Sequence, residues 1–166
     1  VMQILSDVMK AFPKKSFYDE VQLALEKLNL SRRYHYEYFM YTSLLEIPAD
    51  SHGYASMHVY SDSNFIIIGG YHTTYKSHDF NQLFFAPNLM IRLTDQATGR
   101  ALFSDFIPID NILGNKNFET VWHVPKILLA SSVLESAIKN EENFGVSTQL
   151  TFCGLKQFTR DGSKKE

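Results

Sequence analysis

The sequence predicts a mainly β protein, an antiparallel, jelly-roll-like β-sandwich with a short helical segment at its N-terminus. Three observations lead to this prediction. The hydrophobic period changes from about 3.6 to 2 at Arg32, which marks a change from helix to strand. Strand-like segments then recur roughly every 8–12 residues with turn residues between them, as in sandwiches and barrels. The 13 Phe and 9 Tyr residues also favour strands.

Residues 1–31 have the pattern of a helical arm. Apolar residues recur at helical spacing until Pro13 interrupts them. Ser16 offers an N-cap for a second helix, on which Glu26 and Lys27 face away from an apolar stripe. The stripe consists of Phe17, Val21, Leu25 and Leu28. Such an arm either packs across its own sandwich or reaches out to a neighbouring subunit.

A β-sandwich domain is predicted over residues 32–159, followed by a charged flexible tail over 160–166. The first strand carries apolar groups on both faces, so it is either central in its sheet or covered. Asp62–Asn64 predicts a hairpin between the second and third strands, and Gly69-Gly70 predicts a bulge or a close backbone approach. The predicted strands are YHYEYFMYTSLLEI, YASMHVYSD, NFIIIGGYHTTY, LMIRLTD, ALFSDFIPI, KILLA, SVLESAI and VSTQLTFCGL.

The stretch KSHDFNQLFFAPN is predicted to be a loop, although it is rich in apolar residues. These residues are Phe80, Leu83, Phe84 and Phe85. So many apolar side chains in a connection indicate either a buried corner or a contact surface.

The stretch LTDQATGRALFSDFIPIDNILGN raises the question of a catalytic loop, because it combines acidic residues, an arginine and glycines. Each of them also suits a structural role. Asp95 can bond the backbone two residues on, and Gly99 can take a positive φ. Arg100 can lie along the sheet or pair with an acid, and Pro108 suits a strand end or edge. Further turns are predicted at Asp110-Asn111 and Gly114-Asn115. We therefore interpret this stretch as structural.

Sequence motifs of catalysis are missing: there is no HExxH, GxSxG, P-loop or GxGxxG. The best metal candidates are His72 and His78 with Asp79, but real metal sites show tighter spacing, so solvated or sheet-edge histidines are preferred. The carboxylate candidates for a hydrolase are unpaired; they are Glu37, Asp95 and Asp105. We expect no enzyme activity, no cofactor and no bound metal.

The composition argues against several partners. The formal net charge of −2 and a pI of about 6.3 do not favour binding to nucleic-acid phosphates. A run of about 18 apolar residues is missing, so no membrane span is expected, and the first residues do not have the pattern of a signal peptide. Cys153 is the single cysteine and sits in QLTFCGL, where it is predicted to be a small residue on a sheet face.

Four short motifs follow one another in the sandwich. They are the turn Thr98-Gly99-Arg100, the P-x-D-x-x-x-G run from Pro108 to Gly114, a strand-leading Pro125, and a closing G-x-K-x-F from Gly154 to Phe158. In these motifs the chain, from Arg32 to Phe158, resembles a group of small β-sandwich proteins encoded among the virion genes of tailed bacteriophages. The resemblance implies a structural role as capsid cement or decoration, or as an adaptor at the portal and tail. It implies no catalytic residues and does not include the N-terminal helices.

The first functional hypothesis is therefore a non-enzymatic virion protein, assembled in the cytoplasm of a bacterial host. Its partners would be copies of itself and the major capsid protein or portal and tail proteins. The predicted interface is the helix stripe and the apolar loop, namely Phe17, Val21, Leu25, Leu28, Phe80, Leu83, Phe84 and Phe85. For both parts the alternative is ordinary core packing within one chain.

The second hypothesis is a sugar- or receptor-binding module on a phage tail. Exposed Tyr34, Tyr36, Tyr38 and Trp122 would then form a stacking platform. An enzyme that uses His72 and His78 is the third hypothesis. Exposure of the aromatic rings separates the second hypothesis from the first, because a platform must be accessible to its ligand.

Overall fold

A computed structural model describes residues 34–77, 79–84, 87–115 and 119–159, with only the backbone described for 79–84. The predicted arm (1–31) and tail (160–166) lie outside these ranges, as do His78 and Phe85. The proposed boundaries of the arm and the tail therefore stay predictions. Within the described ranges, no helix is long and apolar enough to cross a membrane.

The described chain forms two packed β-sheets. In the six-stranded sheet, β1 (Tyr34–Ile47), β11 (Val146–Thr159) and β3 (Asn64–Lys76) lie side by side, and the other edge of β3 pairs with β4 (Asp79–Phe84), β8 (Gly114–Asn115) and β9 (Thr120–Leu128). In the five-stranded sheet, β2 (His52–His58), β10 (Val133–Asn140) and β5 (Leu89–Asp95) lie side by side, and β5 also pairs with β6 (Arg100–Ala101) and β7 (Ile107–Pro108).

The order of the strands is that of a jelly roll. Along the chain, the long strands β1, β2, β3, β5, β9, β10 and β11 alternate between the two sheets. The first and last strands pair antiparallel over their full 14 residues, from Tyr34 opposite Thr159 to Ile47 opposite Val146. All pairs are antiparallel except the two-residue pair of β3 and β8. The predicted mainly β, jelly-roll-like sandwich is confirmed.

The core lies between the inner faces of the two sheets. On β5, Leu89, Ile91 and Leu93 are buried while Arg92 and Thr94 are partly exposed, as the alternation predicts. On one face of β1 the side chains of Phe39, Tyr41, Leu45 and Ile47 also pack on the core. A fully buried aliphatic or aromatic side chain contributes about 1.5–3 kcal/mol, so these alternating strands drive the packing of the sheets.

The hairpin predicted at Asp62–Asn64 is wrong, because β2 and β3 belong to different sheets. After β2 the chain crosses the end of the sandwich. The Val59 amide donates to the Ser132 carbonyl at 2.9 Å, and the Tyr60 amide donates to the Tyr41 hydroxyl at 3.1 Å. These contacts hold the turn between the sheets, so its turn residues connect two layers instead of two neighbouring strands.

The loop predicted over KSHDFNQLFFAPN is also wrong in part, because residues 79–84 form β4. Strand β3 extends beyond the residues that pair with β8 and β9, so the edge of its last residues is open to another strand. Thr74 pairs there with Phe84, and Tyr75 with Leu83. The polar residues on either side of this segment suggested a loop, whereas the available edge of β3 makes it a strand.

Two smaller expectations also change, and one of the two alternatives for β1 is excluded. Gly114-Asn115 forms β8 instead of a turn. The strand predicted over ALFSDFIPI pairs only near its two ends, as β6 and β7. The Leu102 amide still donates to the Leu93 carbonyl at 2.8 Å, and residues 103–106 leave the sheet. Among the described strands β1 pairs only with β11, so it is not central.

The close backbone approach predicted at Gly69-Gly70 is confirmed. A Cβ atom on Gly69 would lie 2.1 Å from the Thr120 carbonyl oxygen, which no side chain can tolerate. The pairing of β3 with β9 shifts register at this point. Glycine thus allows β9 to begin its contact with β3 at Thr120 and Val121.

Candidate functional site

A large bulge interrupts the pairing of β9 with β3. Lys126 pairs with Ile67 and Val121 pairs with Gly69, so the residues from Trp122 to Pro125 lie opposite Ile68 alone. Pro125 has no amide hydrogen to give to a neighbouring strand, which suits a position where pairing is interrupted. The bulge moves Trp122 and its neighbours away from β3, and it forms one wall of a cleft.

The cleft lies between this bulge and the segment 100–103, which begins in β6. Its volume is about 560 Å³. Trp122 is fixed in the wall because its indole N–H donates to the Ile112 carbonyl at 2.8 Å. Phe103 packs edge-on against Trp122, with ring centroids 6.3 Å apart. These contacts make the aromatic wall rigid, and a volume of this size is typical of a small-ligand site.

The charge of the cleft is opposite in sign to that of the whole chain. Arg100 and Lys126 line it, together with His123, and no carboxylate occurs among its described lining residues. The rest of the lining is mainly apolar or aromatic. Two cations beside aromatic and aliphatic walls can bind an anionic group attached to an apolar or ring-shaped body.

Beside the cleft, β9 presents large aliphatic side chains to solvent. Val124 is 78% exposed, Leu129 directly after the strand is 59% exposed, and Ile127 is 45% exposed. Among the described strands β9 pairs only with β3, so it is also a sheet edge. We call Val124, Ile127 and Leu129 the β9 surface. Exposed apolar groups grouped on one edge strand are a typical site of protein–protein contact.

His72 is held in a buried hydrogen-bond network. Its Nε2 lies 2.7 Å from Asp110 Oδ1, and its Nδ1 lies 3.0 Å from Thr74 Oγ1, which contacts Thr148 Oγ1 at 2.8 Å. Burial lowers the pKa of His72, and Asp110 partly opposes this effect. Both ring nitrogens are thus occupied by protein groups. His72 therefore has no free ring nitrogen to offer to the metal site suggested with His78 and Asp79. His78 itself lies outside the described residues.

The three candidate carboxylates each have a local partner. Asp95 accepts from the Ala97 amide and the Thr98 hydroxyl, both at 3.1 Å, and Gly99 has a φ of +66°, so the predicted turn is confirmed. Asp105 Oδ1 accepts from the Phe106 amide at 2.7 Å. Glu37 lies 3.0 Å from His35. In the part of the chain that the structure describes, no group of three acidic, His or Cys side chains is arranged to hold a metal.

Cys153 is buried on the outer face of β11, close to the Tyr38 hydroxyl. Burial raises the pKa of the Cys153 thiol to about 11, and burial also raises the pKa of Tyr38. The thiolate, which is the reactive form, is therefore scarce at pH 7. The predicted role of Cys153 as a small residue on a sheet face is confirmed.

The structure leaves the predicted interface untested. Phe17, Val21, Leu25, Leu28 and Phe85 lie outside the described residues, while Phe80, Leu83 and Phe84 lie in β4, where only the backbone is described. The predicted platform of exposed aromatic rings is wrong for Tyr36, because its side chain is only 7% exposed. Trp122 is half-buried and faces the cleft, not a flat surface.

Sequence reasoning missed a buried lysine. Lys156 Nζ lies 4.3 Å from the centre of the Tyr60 ring, 4.5 Å from that of Phe39 and 5.8 Å from that of Phe158. It also lies 3.5 Å from the Asp62 carboxylate. The only signal in the sequence was a lysine at an inward position of an apolar strand. Its partners come from two distant parts of the chain, β1 and the connection between β2 and β3, and from its own strand.

Comparison with models of known protein families gives no match to this chain, and comparison with functionally characterised proteins gives none either.

Proposed function

We propose that this chain is a non-enzymatic structural protein of a tailed-phage virion, which works by protein–protein contacts as capsid cement or decoration, or as a portal or tail component. Its partners would be copies of itself and the major capsid protein or portal and tail proteins. Its final place would be the virion, assembled in the cytoplasm of the bacterial host.

The observation that carries this proposal is the β9 surface beside the cleft. Val124, Ile127 and Leu129 expose apolar side chains on a sheet edge that has no further described strand next to it. Burial of apolar area contributes about 25 cal/mol per Å², so this edge would gain stability by contacting another protein. Single exposed apolar residues are common, but such a group at an edge is characteristic of interaction sites.

Fold and sequence motifs give further support. Jelly rolls are common in viral capsid domains, although they also occur in lectins and cupins, so the fold alone does not decide. The motifs behind the phage resemblance lie at structural positions of the sandwich. The Thr98-Gly99-Arg100 motif ends the turn after β5, Asp110 binds His72, and Lys156 is enclosed by aromatic rings. These contacts support a structural role for the motifs, and Arg100 and Pro125 also line the cleft.

The experiment is native mass spectrometry of the purified full chain and two variants. The Val124→Asp/Leu129→Asp double variant places charges on the β9 surface. Tyr54→Asp is the matched control, because Tyr54 is equally accessible at 66% exposure but lies on β2, in the other sheet. We expect a closed oligomer for the wild type and Tyr54→Asp, and dissociation for the double variant.

A wild-type protein that remains monomeric at every concentration would exclude self-assembly through the β9 surface. The same three proteins would then be tested for co-sedimentation with capsids or tails that lack this component. Equal binding by the wild type and the Val124→Asp/Leu129→Asp variant would rule out the β9 surface as the virion contact.

A ligand-binding module is the second candidate, and the cleft favours it. Trp122 is the only tryptophan of the chain, so its fluorescence reports directly on occupation of the cleft. Titration with neutral and acidic sugars should shift this fluorescence only with the acidic ones, because Arg100 and Lys126 are the charged groups of the cleft. A saturable shift that Arg100→Ala abolishes would support this function over assembly.

A further inference from the structure

The outer faces of the two sheets differ in chemistry. On the five-stranded sheet, outward positions of paired strands carry the charged residues Arg92, Glu135 and Lys139. On the six-stranded sheet, the outward positions from Tyr36 to Leu44 on β1, and those paired with them on β11 and β3, carry no charged side chain. An antiparallel sheet that faces water is usually polar on that side. The six-stranded sheet therefore has the composition of a covered face.

Burial agrees with the composition. Leu155 is fully buried and Ile66 is 1% exposed, although both point away from the core between the sheets. Cys153 and Thr151 on the same face are buried as well. All described strands belong to the two sheets, so no described strand lies over this face. A single sheet layer does not bury its central outer residues, so another part of the chain must cover them.

We propose that residues 1–30 of the same chain cover this face, with the stripe Phe17, Val21, Leu25 and Leu28 packed against β11 and β3. The segment joins β1 directly, since β1 begins at Tyr34 and its Tyr38 pairs with Leu155. The segment also carries the apolar stripe predicted from the sequence, which needs a surface to pack against. This proposal is independent of the virion assignment.

The dimensions support this occupant. A helix of the length predicted from Ser16 to Leu30 is about 20 Å long and about 10 Å wide, so it covers roughly two strands spaced about 4.8 Å apart. Most of the buried outer residues lie on the two neighbouring strands β11 and β3, and Tyr36, near the start of β1 where the segment joins the sheet, is buried as well. On β1, which would lie beyond the helix, Met40 and Leu44 are 45% and 65% exposed. The pattern of burial thus matches a single helix placed along β11 and β3.

Cys153 provides a reporter, because it is the only cysteine and lies on the covered face. Its rate of reaction with a maleimide would be measured under native conditions in the full chain. In the Val21→Asp/Leu25→Asp variant we expect the rate to rise by at least about tenfold, because the cover is displaced. Lys27→Asp is the matched control on the polar side of the same helix, and its rate should equal that of the wild type. Equal rates in all three proteins would overturn the proposal.

Photo-crosslinking tests the position without weakening the contact. A benzophenone amino acid in place of Leu25 would be activated in a mixture of ¹⁵N-labelled and unlabelled protein. We expect crosslinks from this position to peptides of β11 or β3, always within one isotopic species. Crosslinks between labelled and unlabelled chains would show that a second copy is the occupant. Crosslinks to the five-stranded sheet would show that the covered face is the wrong one. Either result overturns the proposal.

Discussion

The carboxylate of Asp110 lies 2.7 Å from Nε2 of His72, although 38 residues separate them in sequence. The lowered pKa of His72 keeps its ring neutral at pH 7, and a proton on Nε2 then donates to Asp110. Nδ1 accepts from the Thr74 hydroxyl, which in turn accepts from the Thr148 hydroxyl. The side chains of His72, Thr74 and Thr148 thus form a continuous buried series of hydrogen bonds that ends at Asp110. The contact joins β3 to the short 3₁₀ helix Ile109–Asn111, close to the cleft.

Protonation of His72 should destabilise the fold in mild acid. The pKa of His72 is lowered in the folded protein, so below its unfolded pKa of about 6.5 the unfolded chain binds the proton more readily. The contribution of neutral His72 to the free energy of unfolding is therefore complete above about pH 6.5. Below that pH the free energy of unfolding falls, by at most about 1.4 kcal/mol per pH unit. Urea unfolding of the wild type and His72→Gln between pH 7.5 and 5 measures this slope, which should be smaller in the variant.

His58→Gln is the control for the other histidines, because His58 is exposed. It should keep the pH dependence of the wild type. If His72→Gln loses stability with falling pH as steeply as His58→Gln does, His72 is not the group responsible.

Asn140 should be the most sensitive polar residue of the β10–β11 turn. Its side chain is fully buried, donates to the carbonyls of Pro48 and Phe144 at 2.9 Å, and accepts from the Glu142 amide at 3.0 Å. Asn140→Ala leaves these groups without partners, so we expect a loss of about 1–3 kcal/mol. Asn140→Asp should lose more, because a carboxylate cannot donate to the carbonyls. Urea unfolding measures both, and Asn143→Ala, at an exposed neighbour, should change little.

An Asn140→Asp variant as stable as the wild type would show that the two carbonyls find other donors.

Two glycines should respond differently to alanine. At Gly69 the new Cβ would meet the Thr120 carbonyl oxygen at 2.1 Å, so the backbone of β3 or β9 must move. At Gly99 the Cβ would meet nothing within 4 Å, but φ is +66°. We expect a loss of about 1 kcal/mol for Gly99→Ala and of more than about 2 kcal/mol for Gly69→Ala. Thermal unfolding compares them, and equal losses would mean that β9 can shift without strain.

Local patterns predicted the parts of the fold that depend on neighbouring residues. Alternation identified the inward side of β5 from Leu89 to Leu93, and turn chemistry identified Asp95 and Gly99. The partner of a strand has no such local signal. The sequence of β2 fits a hairpin with β3 equally well, and only the packing of the whole sandwich places it beside β10 instead.

The candidate site was harder to predict for the same reason. The cleft depends on a bulge inside β9, where the sequence predicted only a strand led by Pro125, and on the distant segment 100–103. Asp110 fitted a turn on sequence grounds, and its contact with His72 appears only when β3 and the 3₁₀ helix meet. Residues that act across long sequence separations cannot be identified from local spacing.

Two substitutions of Lys156 should separate the effect of its buried charge on stability from the effect of its aliphatic chain. Its ammonium group lies close to the rings of Tyr60 and Phe39, while the carboxylate of Asp62 is 3.5 Å away and largely exposed. Lys156→Met keeps the volume and removes the charge. The lost attraction to the rings and the avoided desolvation of the charge oppose each other, so stability should change by less than about 1 kcal/mol. Lys156→Ala removes the packing of the side chain against both rings and should lose about 2 kcal/mol or more. Chemical unfolding of the two variants at one pH gives the comparison. If Lys156→Met proves as unstable as Lys156→Ala, the contact of the charge with the rings, and not the packing of the chain, holds β11 against the β2–β3 connection.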